Sequence, residues 1–175
     1  MNLDPVRECS SRSELQECLE ASGAPYLILG GDAEAARRFY LYEVEDGSGQ
    51  ECRIGVVSSD FGIRPFLLLR RAPATLIVCR DAAIDVVSLV DRAVLSSVPL
   101  DGAFFELIEI DGSSDVLVIS ELGASRLSAT GESIWSVSTQ VLENWRIRPD
   151  GVLVLQEMDG EGTAVLNLAT GLPSI

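Results

Sequence analysis

Two phrases near the end of the chain almost repeat each other: SATGESIWSV at 128–137 and LATGLPSI at 168–175. The likeness extends well beyond them. Residues 76–98 lie over 116–138 without a gap, at an offset of 40. LIVCRD then meets VLVISE, Val87-Ser88 meets Leu127-Ser128, Asp91 meets Gly131, and VLS (94–96) meets IWS (134–136). A third copy begins at VLVLQE (152–157), at an offset of 36, and its ATG turn falls at an offset of 40. The difference is a longer hairpin, MDGEG (158–162). A recurring unit of about 40 residues, made of four short antiparallel strands, is the pattern of propeller blades. It constrains the fold more than any other feature, because each unit leaves an apolar face that only a neighbouring unit can cover.

The rest of the chain fits an all-β, mainly antiparallel protein with one short helix. Residues 11–23 predict that helix: Ser11 or Ser13 caps it, Leu15, Cys18 and Leu19 form an apolar stripe, and Gly23 and Pro25 end it. YLIL (26–29) reads as a strand, and AEAARR (33–38) as a helical turn or a lead into the next strand. RFYLYEVE (38–45) and ECRIGVVSS (51–59) flank the Gly-rich DGSGQ, a hairpin signal. Strands are then expected at 66–70, 75–79, 84–89, 93–98 and 104–110. The organisation predicted is a single domain over 1–175, with the helix at 11–23, a first hairpin region at 36–74 and propeller-like repeats over 75–175.

In RLSATGESIW, Thr130, Gly131 and Trp135 form a T-G-x-x-x-W phrase after a short strand. This resembles the phrase that closes each blade in quinoprotein-type (PQQ-like) β-propeller repeats, and WD-type propellers have similar turns. NLATGLPSI keeps Thr170 and Gly171 but has Ile175 in place of the Trp. The resemblance covers residues 75–175. It implies that Trp135 docks between neighbouring blades. A closed ring needs at least about four blades, so the expected fold is an incomplete propeller-like stack of about three repeats. The quinone and calcium ligands of that family have no counterparts here, so the resemblance implies a fold and not the oxidoreductase activity.

Composition excludes many chemistries. There is no His, and all 13 basic residues are Arg. Ser-His-Asp and Cys-His catalysis, His-ligated metals, a Schiff-base Lys and the Lys of a P-loop are therefore absent. The strand, Gly-Gly and helix-like LILGGDAEAARR lacks the full phosphate-binding fingerprint. Cys9, Cys18, Cys52 and Cys79 form no C-x-x-C pair and read as free thiols. No catalytic residue, metal site or cofactor is expected. With 27 acidic residues and a net charge of −14, nucleic-acid binding is disfavoured. No signal peptide and no apolar run of membrane-spanning length is visible, so a cytoplasmic location away from membranes is expected.

The candidate partner-binding residues are Trp145, Arg146 and Arg148, a Trp–Arg grouping of the kind that anchors interfaces, and the acids Glu106 and Glu109. The other reading, which the inside-out rule favours, is that Trp145 starts the linking strand and packs down while the arginines face water. Three positions apart on a strand, Glu106 and Glu109 point to opposite faces and make a poor catalytic pair. The function expected is a non-enzymatic interaction module with an acidic surface for a basic protein partner. A bacterial immunity-type inhibitor of a toxin is one such protein. The alternatives are a small carboxylate-using hydrolase or small-molecule-binding propeller-like protein, and a scaffold that self-associates through an open blade edge.

Overall fold

The computed structural model describes residues 2–30, 37–45, 48–59, 63–71, 74–158 and 162–174. Residues 31–36 of the expected AEAARR segment and Gly-Gly turn, the first two residues of DGSGQ and the middle of MDGEG lie outside them. The elements in chain order are β1 (Asn2–Leu3), β2 (Arg7–Cys9), α1 (Arg12–Ala21), β3 (Tyr26–Leu29), β4 (Arg38–Glu45), β5 (Glu51–Ser58), β6 (Phe66–Arg71), β7 (Ala74–Arg80), β8 (Ala83–Ser88) and β9 (Ala93–Pro99). There follow β10 (Phe104–Glu109), β11 (Val116–Ser120), β12 (Gly123–Leu127), β13 (Ser133–Ser138), β14 (Leu142–Ile147), β15 (Val152–Glu157) and β16 (Thr163–Asn167). The protein is all-β and mainly antiparallel, with one short N-terminal helix. It divides into two compact units, Met1–Pro99 and Leu100–Ile175.

In the first unit, one sheet has the order β1-β6-β7-β8-β9 and the other β2-β4-β5-β3. The β3–β5 pair is parallel, which the helix-containing connection β2-α1-β3 makes possible. Both faces of β4 and β5 are covered. On one face Tyr40, Tyr42, Ile54 and Val56 meet Leu67, Leu76, Val78 and Val87 of the five-stranded sheet. On the other, Phe39, Leu41 and Val57 meet Leu15 and Leu19 of α1. A Cβ at Gly55 would come within 3.0 Å of Leu19 and 3.2 Å of Leu15, so glycine lets the helix approach. Ser11 is the N-cap, its hydroxyl accepting from the Glu14 N–H at 3.1 Å.

The repeat appears as consecutive antiparallel meanders. β6-β7-β8-β9 and, in the second unit, β10-β11-β12-β13 follow one plan, and β14-β15-β16 reproduces its first three strands. Pairing shifts register between Val86 and Val87 in β8 and between Arg126 and Leu127 in β12, the same place in the repeat. Beyond that bulge the gapless sequence alignment slips by one residue. Val86 pairs with Ser96, whereas Arg126 pairs with Trp135. The left-handed turn residue is Arg92 (φ 54) in one and Gly131 (φ 85) in the other. The counterpart of Gly131 is thus Arg92 and not Asp91, and the counterpart of Trp135 is Ser96 and not Leu95. The reason is that one more residue lies between the paired Val87 and Val94 than between the paired Leu127 and Ser133, in a turn where the Ser88 hydroxyl donates to Asp91 at 2.7 Å.

β6 pairs with β7 and so begins the first meander. Residues from Phe66 onward therefore belong to the repeat, whereas the hairpin region proper is β4–β5. Beside β16 the fourth-strand place is marked by a single antiparallel bridge, Leu166 to Pro173.

Candidate functional site

In the second unit, the β10–β13 and β14–β16 sheets pack face to face. Leu117, Ile119 and Ala124 of one meet Leu153, Leu155 and Leu166 of the other. Trp135 lies at the rim of this layer, half-buried. Its indole N–H donates to the Leu168 carbonyl at 3.1 Å. A Cβ on Gly171 would sit 2.7 Å from Trp135 Cγ. Trp135 therefore rests on the ATG turn of the following repeat, the docking that its phrase implied.

Trp145 also turns inward. It packs on the same layer, its ring stacks on Phe105 at 5.7 Å between centroids, and its indole N–H donates to Glu106 at 2.5 Å. The structure thus brings two of the five candidate residues together as a strut between β10 and β14. The other three lie apart. Arg148 is exposed and pairs with Asp150 at 2.7 Å, within one turn. Glu109 is exposed at the end of β10. Arg146 is exposed on the face of the third sheet opposite to Trp145.

That outward face is the feature that sequence reasoning missed. The strand registers set Ile108 beside Leu117 in one sheet and Arg146 beside Val154 in the other. They set Glu106, Ile119 and Ala124 in one row, and Asn144, Gln156 and Thr163 in the corresponding row. So the positions that are Ile108, Ile119 and Ala124 where a sheet is covered are Arg146, Gln156 and Thr163 where it is not. With Val154 as its apolar floor, this face forms a groove of about 280 Å³. The sequence repeat contains the signal, but only at an offset of 37 for this strand. At an offset of 36 the two faces of β15 exchange.

A second groove, of about 330 Å³, lies on the β4–β5 hairpin of the first unit, lined by Glu43, Val44, Glu45, Gly49 and Glu51. Glu45 and Glu51 are directly opposed across the strand pair. Like charges in that register repel. Arg53 pairs with Glu43 at 2.7 Å and Glu51 at 3.3 Å, and no cation pairs with Glu45 among the described residues. Among the described residues no three Cys, Asp or Glu side chains gather as a metal-binding group. No described helix is long and apolar enough to cross a membrane.

No protein-family description matches the chain, and no curated protein does. Solved structures do show a partial likeness. Hydrazine synthase of Kuenenia stuttgartiensis matches with a TM-score of 0.49 and 15% identity, over 85% of this chain and 47% of that one. A protein of unknown function from Bacteroides caccae matches with a TM-score of 0.42 and 13% identity, over 76% and 60%. Hsv2 of Kluyveromyces lactis matches with a TM-score of 0.36 and 10% identity, over 58% and 32%. These are β-propeller proteins, and the chain spans less than two thirds of each. At such scores the likeness carries no argument about activity, and the architecture described above rests on the strand pairing itself.

Proposed function

We propose that the protein is a non-enzymatic interaction module that offers an acidic surface to a basic protein partner, in the manner of an immunity-type inhibitor that neutralises a toxin. The observation that carries this reading is the Glu43–Glu45–Glu51 groove, on a chain with a net charge of −14. Two carboxylates in directly opposed register cost stability in the isolated protein, and a cation from a partner relieves that cost. The polar outward face of β14–β16, with Arg146 at its centre, supplies a second contact surface of different chemistry.

The test begins with partners recovered from the native host and with the product of the neighbouring reading frame. Association rates are then measured from roughly 20 to roughly 500 mM salt. Screening beyond about 10 Å at 0.1 M should slow association steeply. Glu45→Gln with Glu51→Gln should slow association at low salt while leaving the fold intact. A partner whose on-rate ignores both salt and these substitutions would overturn the reading and reduce the charge to a solubility device.

A further inference from the structure

Glycine after aspartate places no side chain between the aspartate carboxyl and the following main-chain nitrogen. The chain carries five such pairs: Asp46-Gly47, Asp101-Gly102, Asp111-Gly112, Asp150-Gly151 and Asp159-Gly160. The first and the last lie outside the described residues. In the other three the glycine has positive φ, 85, 73 and 75 in chain order, so sequence and backbone region alone do not tell them apart. Their restraints do. The Asp101 carboxylate accepts from the Ser138 hydroxyl at 2.9 Å, and its main-chain carbonyl accepts from the Leu122 N–H at 3.2 Å. Gly102 is crowded as well, since a Cβ there would come 2.8 Å from Glu121 Cβ. The Asp150 carboxylate accepts from Arg148 Nη2 at 2.7 Å, and the Gly151 N–H donates to the Arg148 carbonyl at 3.0 Å. Asp111 and Gly112 are both exposed. Neither the Asp111 carboxylate nor the Gly112 N–H has a hydrogen-bond partner among the described residues. The turn is closed by the Ser113 N–H donating to the Ile110 carbonyl at 3.0 Å, and beyond the chain neighbours no described atom lies within 4 Å of a Cβ on Gly112.

We propose that Asp111 is a site of spontaneous isoaspartate formation, and that the fold protects Asp101 and Asp150 from the same reaction. The Gly112 nitrogen attacks Asp111 Cγ. An N–Cγ bond forms, the amide hydrogen and the carboxyl OH leave together as water, and a five-membered succinimide ring results. Water then adds to one of the two ring carbonyls. Opening at Cγ restores aspartate. Opening at the main-chain carbonyl leaves the chain running through Cβ and Cγ, with the former main-chain carbonyl now a side-group carboxylate. One water leaves and one enters, no electron is transferred, and the composition of the protein is unchanged.

The reaction requires the carboxyl to swing over the following nitrogen and that nitrogen to be unshared. At Asp111 both conditions are met without breaking a contact. At Asp101 the bonds from Ser138 and Leu122 must break first, and at Asp150 the bond from Arg148 and the bond from Gly151 must break. Each hydrogen bond that has to break lowers the reactive population by about fivefold. The exposed Arg148–Asp150 pair contributes little of this, so at Asp150 the Gly151 N–H supplies most of the protection. The product would lengthen the β10–β11 turn by one main-chain carbon.

The experiment ages the whole folded chain at neutral pH in water enriched in heavy oxygen, beside a second sample aged in urea. Peptide mapping with fragmentation that separates isoaspartate from aspartate then reads each pair by itself. In the folded chain the peptide holding Asp111 should gain isoaspartate and one heavy oxygen about fivefold or more faster than those holding Asp101 and Asp150. In urea the three should react at similar rates. Gly112→Ala should slow the reaction at Asp111 severalfold, because the added methyl group hinders the attacking nitrogen. Isoaspartate forming first at Asp101 or Asp150, equal rates at the three pairs in the folded chain, the same ranking in urea as in the folded chain, no isoaspartate at Asp111, or an unchanged rate in Gly112→Ala would each overturn the proposal.

Discussion

At the scale of single residues, Gly171 and Trp135 meet at the rim of the contact between repeats in the second unit. Gly171 has φ 69 and faces the indole, with no room for a Cβ, whereas Gly112, at φ 73 in the β10–β11 turn, has nothing within 4 Å. Alanine at either position adopts the left-handed region at a cost of about 1–2 kcal/mol. The two substitutions therefore separate backbone strain from the ring contact. Gly112→Ala should cost about 1 kcal/mol and Gly171→Ala about 2–4 kcal/mol, the excess being displacement of Trp135. Denaturant midpoints measure both. Equal losses at the two glycines would mean that the indole yields freely. Trp135→Ala should cost about 2–3 kcal/mol, less than a fully buried tryptophan, because the ring lies at the rim. The capping pair follows the same local logic. Ser11 and Glu14 stand in S-x-x-E spacing, and the Glu14 carboxylate accepts from the Ser10 N–H at 2.8 Å. The Ser10 hydroxyl, donating to the same oxygen at 2.6 Å, and then this backbone bond and the Arg7 charge hold its carboxyl below its ordinary value.

At the scale of elements, strand register decides which side chains reach which face. Strand β11 is buried along its whole length, VLVIS, with Leu117 and Ile119 packed against the β14–β16 sheet. Strand β15, VLVLQE, is buried on one side and partly open on the other. That difference gives a test of the outward face. Arg146→Ile, Gln156→Ile and Thr163→Ala together recreate the covered pattern of Ile108, Ile119 and Ala124. An apolar face with nothing upon it should drive self-association, visible as a concentration-dependent rise in mass by light scattering. If the triple variant stays in the same oligomeric state as its parent, the outward face is not what keeps copies apart. Repeat arrays commonly require a polar outer face on the repeat that ends them, for the same reason.

At the scale of the molecule, 27 acidic residues against 13 arginines produce strong self-repulsion. The paired arginines are spent locally, Arg80 on Asp85 at 2.9 Å and Arg126 on Asp115 at 2.6 Å, so they do little for the acids at a distance. Moderate chloride should therefore raise Tm by screening that repulsion. For a chain of this length each kcal/mol gained corresponds to about 2–4 °C. The same salt that stabilises the free protein should weaken its association with a basic partner, and calorimetry beside binding kinetics reads both effects. A Tm that falls as chloride rises would mean that local ion pairs outweigh the long-range repulsion.

Much of this was present in the sequence. Period-two apolar runs broken by turn residues placed the strands, the Leu15–Leu19 stripe placed the helix, and the ATG phrase placed the turn on which Trp135 rests. These features depend on neighbours a few residues apart, and such neighbours are the ones a chain displays in order. The one-residue slips were not legible, because a gapless alignment cannot sense a bulge or a lengthened turn. For β15 such a slip exchanges the two faces and conceals Gln156 and Thr163. The partner of Trp145, Glu106, and the meeting of Arg7 with Glu14 and Cys18, were hidden for a related reason. Each joins groups from separate elements, and only the packing of one element on another brings such groups within reach.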